Sequence, residues 1–218
     1  MAALDGCASC SDVLQMVLAA DAADVSNMLL ALGTLAESDS QLAAVVSQHA
    51  TTQLLQHAVA LAGRGELAPL QPIANTFYGA ALLGLQPSAV QVQQLFSAVQ
   101  HALEQPPGPG DCMNVTQVLL ACAELSDVQV PAGGNLTPDA NPFLRYYPGA
   151  RLVDALLHRA TCAPLGEQAA SHTVNACGRL LHVPSAEDWA ALLAAIPRHA
   201  NGLSPVAASA LLVSLPQC

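Results

Sequence analysis

Between Pro72 and Pro87 the chain reads PIANTFYGAALLGLQP, and its apolar residues Ile73, Phe77, Ala80 and Leu83 recur in steps of three and four. That spacing places them on one buried face of a helix. A polar pair, Asn75 and Thr76, stands near its start. With Asn75 as an anchor, the apolar positions lie two residues before it and two, five and eight after it. The register returns around Asn27 (Val25, Leu29, Leu32, Leu35), Gln117 (Val115, Leu119, Cys122, Leu125), His172 (Ala170, Val174, Cys177, Leu180) and Ala208 (Val206, Ala210, Val213, Pro216). Six residues after each anchor the side chain is small: Gly33, Ala81, Ala123, Gly178, Ser214. A small residue at a fixed place admits a neighbouring helix at close range, so these segments are expected to pack on one another as equivalents.

Each anchored helix has a companion. Pro87 lies twelve residues after Asn75 and Pro184 twelve after His172, and both are followed by Ser-Ala and a second amphipathic run. These runs are Val92, Leu95, Phe96, Val99 in one case and Trp189, Leu192, Leu193, Ile196 in the other, at identical offsets. Ser88 with Gln91, and Ser185 with Asp188, have the spacing of capping boxes. The unit is helix, Pro-Ser turn, helix, and the anchors stand 48, 42, 55 and 36 residues apart. Such spacings predict an all-α fold, an irregular α-solenoid of about five helical hairpins with the outer two incomplete.

In chain order, residues 1–10 form a lead-in and Ser11–Ala20 resembles a second helix without its first. Helices are predicted over Asp24–Glu37, Gln41–Ala62 with a bend or break near Ala50–Thr52, Pro72–Leu85, Ser88–Glu104, Met113–Leu125, Arg151–Thr161, Gln168–Leu181, Ser185–His199 stopping near Pro197, and Pro205–Leu215. Gln105–Asp111 and Pro131–Gly149 carry turn residues and are predicted loops. The apolar faces of the two outer segments lack a polar cap of the kind that ends a solenoid, which predicts a fragment, or a chain that stacks on another protein or on a missing C-terminal domain.

Composition adds charge to this picture. The chain has 53% hydrophobic and 3% aromatic residues, no lysine, six arginines, and a formal net charge of −10. Residues 1–144 hold twelve carboxylates against Arg64, whereas residues 145–218 hold five arginines against four carboxylates. Only the second part is expected to attract phosphate. No run is apolar enough to span a membrane. The N-terminus has neither a secretory signal nor a transit peptide, so the seven cysteines are expected as reduced thiols. Cys7-Ala-Ser-Cys10 has no second ligand pair at metal-site spacing, and Cys122 and Cys177 fall at equivalent core positions. The sequons at Asn114 and Asn135 carry no meaning in a chain that is not secreted.

The stretch Leu70-Gln-Pro-Ile-Ala-Asn-Thr-Phe-Tyr-Gly-Ala-Ala-Leu-Leu-Gly-Leu-Gln-Pro87 resembles the octotricopeptide repeat family of green algae, which is related to the RAP-domain and FAST-kinase-like proteins. The family's tryptophan, three residues after the Asn, is replaced by Tyr78 here and by Leu30, Leu120, Asn175 and Leu211 in the other units. The likeness extends over most of residues 11–215, one unit matching closely, and no RAP segment is present. The resemblance implies an α-solenoid that binds single-stranded organellar RNA in the chloroplast or the mitochondrion and acts in transcript stabilisation, processing or translation.

On that footing the RNA-binding candidates are Asn27, Asn75 with Thr76, Gln117 and His172, each on a successive equivalent helix. Repeat proteins that read single strands place such side chains along one face. The alternative for these anchors is a hydrogen bond to a neighbouring repeat. Arg151, Arg159 and Arg179 are candidate phosphate contacts, and Tyr146 and Tyr147 a stacking platform or else two partly buried loop side chains. Asp154 with His158, and Asp188 near His182, are expected as ordinary helix-surface pairs. No phosphate loop, nucleophile elbow or HExxH motif occurs. Neither enzyme chemistry nor a cofactor, metal or small-molecule substrate is expected. A protein-interaction scaffold without RNA contact is the other function the acidic first part and the apolar ends predict.

Overall fold

The computed structural model describes residues 19–39, 48–126 and 146–196. Eight helices occur among them and no strand: α1 Ala22–Ser38, α2 Gln48–Gly63, α3 Leu70–Leu82, α4 Ala89–Leu103, α5 Asp111–Ser126, α6 Ala150–Thr161, α7 Glu167–Arg179 and α8 Ala186–Ala195. The predicted segments 1–10, Ser11–Ala20 and Pro205–Leu215 lie wholly or almost wholly outside the described residues, as does most of the Pro131–Gly149 loop.

The capping predictions show why α4 and α8 begin where they do. Ser88 Oγ accepts from the Gln91 backbone N–H, and Gln91 Oε1 accepts from the Ser88 N–H, a complete capping box. Ser185 Oγ likewise accepts from the Asp188 N–H at 3.1 Å. The expected break near Ala50–Thr52 is corrected: α2 runs unbroken from Gln48 through Gly63. The hydroxyls of Thr51 and Thr52 both donate back to the Gln48 carbonyl, at 3.1 and 2.7 Å, and the helix carries them without a break.

The odd-numbered helices α1, α3, α5 and α7 pack in series, each on the next, and the even-numbered α2, α4, α6 and α8 do the same. Within each pair, α1 packs on α2, α3 on α4, α5 on α6 and α7 on α8. Nearly every anchored position is buried, including Val25, Leu29, Ile73, Phe77, Val115, Leu119, Ala170, Val174, Cys177 and Leu180. Leu35 is an exception, 49% exposed in the last turn of α1. The core lies between the two rows, and the stacked rings of Phe77 and Phe96, 5.4 Å apart, tie α3 to α4 across it.

The small positions do what the spacing predicts, and a second one matters more. A Cβ on Gly33 would lie 2.8 Å from Leu82 Cβ. A Cβ on Gly79, four residues after its anchor, would stand 2.6–2.7 Å from the backbone of Leu29 and Leu30. The same offset holds Ala31, Ala121 and Ala176 in the three other units the structure describes. Asn27 meets Asn75, and Gly33 meets Leu82, so the contacts climb both helices together and α1 and α3 run parallel.

Candidate interaction surface

The five described polar positions of the first-helix row fall into two groups. Asn75 is 4% exposed and its amide donates to Asn27 Oδ1 at 2.9 Å, while Thr76 is fully buried and donates to the Pro72 carbonyl. Asn75 thus serves the packing of α3 on α1, and Thr76 bonds back within α3. Asn27 is exposed, and Gln117 and His172 are half-buried, so these three reach solvent, on α1, α5 and α7, while the α3 anchor Asn75 does not. Between α5 and α7 the joining contact sits one residue off the anchors. Thr116 Oγ1 lies 2.9 Å from Thr173 Oγ1 and also donates to the Cys112 carbonyl.

The arginines are mostly engaged within the chain. Arg159, at the end of α6, is 9% exposed and pairs with Asp111 at 3.0 Å. Its other terminal nitrogen donates to the carbonyls of Leu103 and Gln105, both at 2.6 Å. Asp111 Oδ2 also accepts from the Gly108 N–H, so this ion pair fastens the turn between α4 and α5 to α6. Arg159 therefore is not a phosphate contact on the surface, because it is buried and both its terminal nitrogens are engaged from inside. Arg179 donates to Glu124 Oε1 and to the Ala123 carbonyl, bridging α7 to α5. Arg64 pairs with Glu66. Among the described residues Arg151, which is exposed, is the arginine without a carboxylate partner.

The two tyrosines part company. Tyr146 is 1% exposed, and its hydroxyl lies 3.1 Å from both Gln86 Oε1 and the Pro87 carbonyl, which rules it out as an open stacking platform. Tyr147 is half-buried, with its hydroxyl 3.2 Å from His182 Nδ1. On the other side of that ring, His182 Nε2 lies 3.0 Å from Asp154 Oδ1. The neutral imidazole satisfies both contacts when Nε2–H donates to Asp154 and Nδ1 accepts from Tyr147. Burial lowers the pKa of His182, and the neighbouring Asp154 and Asp188 oppose that without cancelling it. Asp154 thus pairs with His182 rather than with His158, and Asp188, itself buried, accepts from Ser185 and Thr161. Cys122 and Cys177 are buried as expected, and burial pushes both thiols up to about 12, so neither is a nucleophile.

No family model, curated protein or solved structure matches this chain. Its own surface is therefore what remains to indicate partners. The second-helix row is open where the first is tight, and two depressions flank α4. One, of about 670 Å³, lies between α4 and the turn after α2, and is lined by Gly65, Leu67, Val90, Gln93, Gln94 and His101 among others. The other, of about 270 Å³, lies toward α6 and is lined by Phe96, Gln100, Tyr147, Pro148 and Leu152 with Gln93 and Ser97. Ala89, Gln93 and Ser97 border both, forming a ridge one helix wide. No carboxylate or arginine lines either depression. Sequence reasoning looked for polar anchors on the first helices and passed over this ridge. Its signal was present in Gln93, Gln94, Ser97, Gln100 and His101 on the polar face of α4.

Among the described residues no helix is long and apolar enough to cross a membrane.

Proposed function

We propose that the helix pairs form a short α-solenoid that acts as a non-catalytic interaction scaffold, binding an extended protein segment of neutral or basic character across the ridge of α4. The observation that carries this is the pair of depressions on either side of that ridge, free of carboxylates and arginines and each edged by two glutamines. Glutamine side chains offer a donor and an acceptor to the backbone of an extended chain, and small neighbours such as Ala89 and Gly65 let that backbone approach. The surrounding field supports the choice of partner charge. Twelve carboxylates stand among the described residues against four arginines, three of them paired internally.

Organellar RNA binding, which the family resemblance implies, is the second reading. The observation favouring it is that Asn27, Gln117 and His172 stay accessible on three of the four described first helices. Phosphate contacts in that case would fall to Arg151 and to arginines outside the described residues. The proposal of a chloroplast or mitochondrial role belongs to this reading alone.

A peptide array and a pool of random single-stranded RNA separate the two. The scaffold reading expects peptides that bind the chain, lose binding in Gln93→Glu/Ser97→Trp, and keep it in His172→Ala. Crosslinking with sequencing that recovers RNA dependent on Gln117 or His172, with no peptide sensitive to the α4 ridge, overturns it in favour of RNA.

A further inference from the structure

Helix α6 ends in a chemical pair that neither the packing nor the proposed function uses. His158 and Cys162 are both exposed, one turn apart, and Cys162 Sγ lies 3.6 Å from His158 Nε2. Cys162 is the C-cap residue, yet its backbone stays right-handed helical (φ −68°, ψ −12°) and its N–H still donates to the His158 carbonyl at 3.1 Å. The helical register therefore carries through the pair and holds the two side chains on one face.

We propose that His158 and Cys162 form a two-ligand chelate for a thiophilic divalent cation, zinc in the first instance. The separation is the argument. A tetrahedral zinc with a Zn–S bond of about 2.3 Å and a Zn–N bond of about 2.0–2.1 Å sets its sulfur and nitrogen ligands roughly 3.5–3.6 Å apart. The observed 3.6 Å, the distance of an S–H···N contact in the metal-free chain, matches that bite. Thiolate with imidazole is a donor set that selects zinc over magnesium or calcium.

The electrostatic setting is of the right sign. The pair sits at the carbonyl end of α6, where the helix dipole favours a cation. The neighbouring Arg159 points away into its ion pair with Asp111, so its charge is already matched. Binding replaces one proton: the S–H bond of Cys162 breaks, a Zn–S bond forms, the proton leaves to solvent, and Nε2 gives its lone pair to the metal. Two coordination positions stay open for water. Affinity therefore climbs with pH, because the proton competes with the metal.

The test uses the full chain carrying Cys7→Ser and Cys10→Ser, so that the terminal CxxC cannot contribute, and reads alkylation of Cys162 by peptide mass spectrometry. Saturating zinc chloride is expected to slow labelling of Cys162 about tenfold, since the bound thiolate is no longer a free nucleophile. The protection should strengthen as pH is raised and vanish in His158→Gln, which keeps Cys162 available and, being exposed, leaves the helical circular dichroism unchanged. Cobalt should give a thiolate charge-transfer band in the parent and none in His158→Gln. No protection by zinc, or equal protection in parent and His158→Gln, overturns the proposal.

Discussion

The joint between α1 and α3 and the joint between α5 and α7 occupy the same place in the repeat, yet different forces hold them. At the first, two glycines let backbones meet, and a single amide pair, Asn75 to Asn27, marks the register. At the second, alanines (Ala123 and Ala176) stand at the matching offsets, and polar fasteners do the locating: Thr116 with Thr173, and Arg179 with Glu124 and the Ala123 carbonyl. The same shift appears at the turns that end α3 and α7. Gly84 takes φ +63° and is followed by buried Leu85, whereas the equivalent Leu181 takes φ +54° and is followed by buried His182. A left-handed leucine costs about 1–2 kcal/mol relative to right-handed backbone, and a buried imidazole needs partners. Tyr147 and Asp154 supply those partners. Helices packed in the same order can thus be located by bare backbone proximity or by hydrogen-bonded side chains.

The contrast is open to attack from the polar side first. Arg159→Ala strands a buried carboxylate on Asp111 and should lower stability by about 3–5 kcal/mol in urea titrations. The double change Arg159→Met/Asp111→Leu should recover most of it. Close behind comes Gly79→Ala, whose methyl meets backbone that cannot step aside, costing about 3 kcal/mol. The reverse change at the equivalent position of the α5–α7 joint, Ala176→Gly, meets nothing and should cost only about 1 kcal/mol. Equal effects at the two sites would erase the distinction between the joints.

Smaller effects refine it. Asn75→Ala removes one hydrogen bond and leaves the exposed Asn27 to water, a loss of about 1–2 kcal/mol by the same titration. Thr173→Val should cost less than that, since Thr116 keeps its bond to Cys112. His182 gives the least and acts through pH. Its folded pKa lies below its ordinary value, so the unfolded chain takes the proton more readily. The stabilisation from a neutral His182 is complete above about 6.5 and is lost as pH falls from there through the folded value. In His182→Leu, which restores the residue type of Leu85, that part of the decline should disappear from thermal melts taken across the range.

Much of the helix pattern was legible because it rests on periodicity: most anchored positions, the Ser88 and Ser185 starts and the small residue at Gly33 are where spacing alone places them. The close approach at Gly79 was less visible, since a glycine inside a helix does not name the backbone it faces. The functional candidates were misleading in a physical way. Arg159 and Tyr146 carry the chemistry that nucleic acids need, but exposure decides whether it reaches a ligand, and burial depends on contacts 20 to 60 residues away in sequence. The clue available in advance was the aligned position of His182. A titratable residue where the reference unit has a buried leucine requires a polar partner from another helix.

The central claim, that partners are met at the α4 ridge, is tested most directly by a photo-crosslinking amino acid placed either at Gln93 on that ridge or at His172 on the first-helix row. The account predicts protein adducts at Gln93 that withstand ribonuclease and compete with an array-selected peptide, with few adducts at His172. Adducts concentrated at His172 and released by ribonuclease would contradict it.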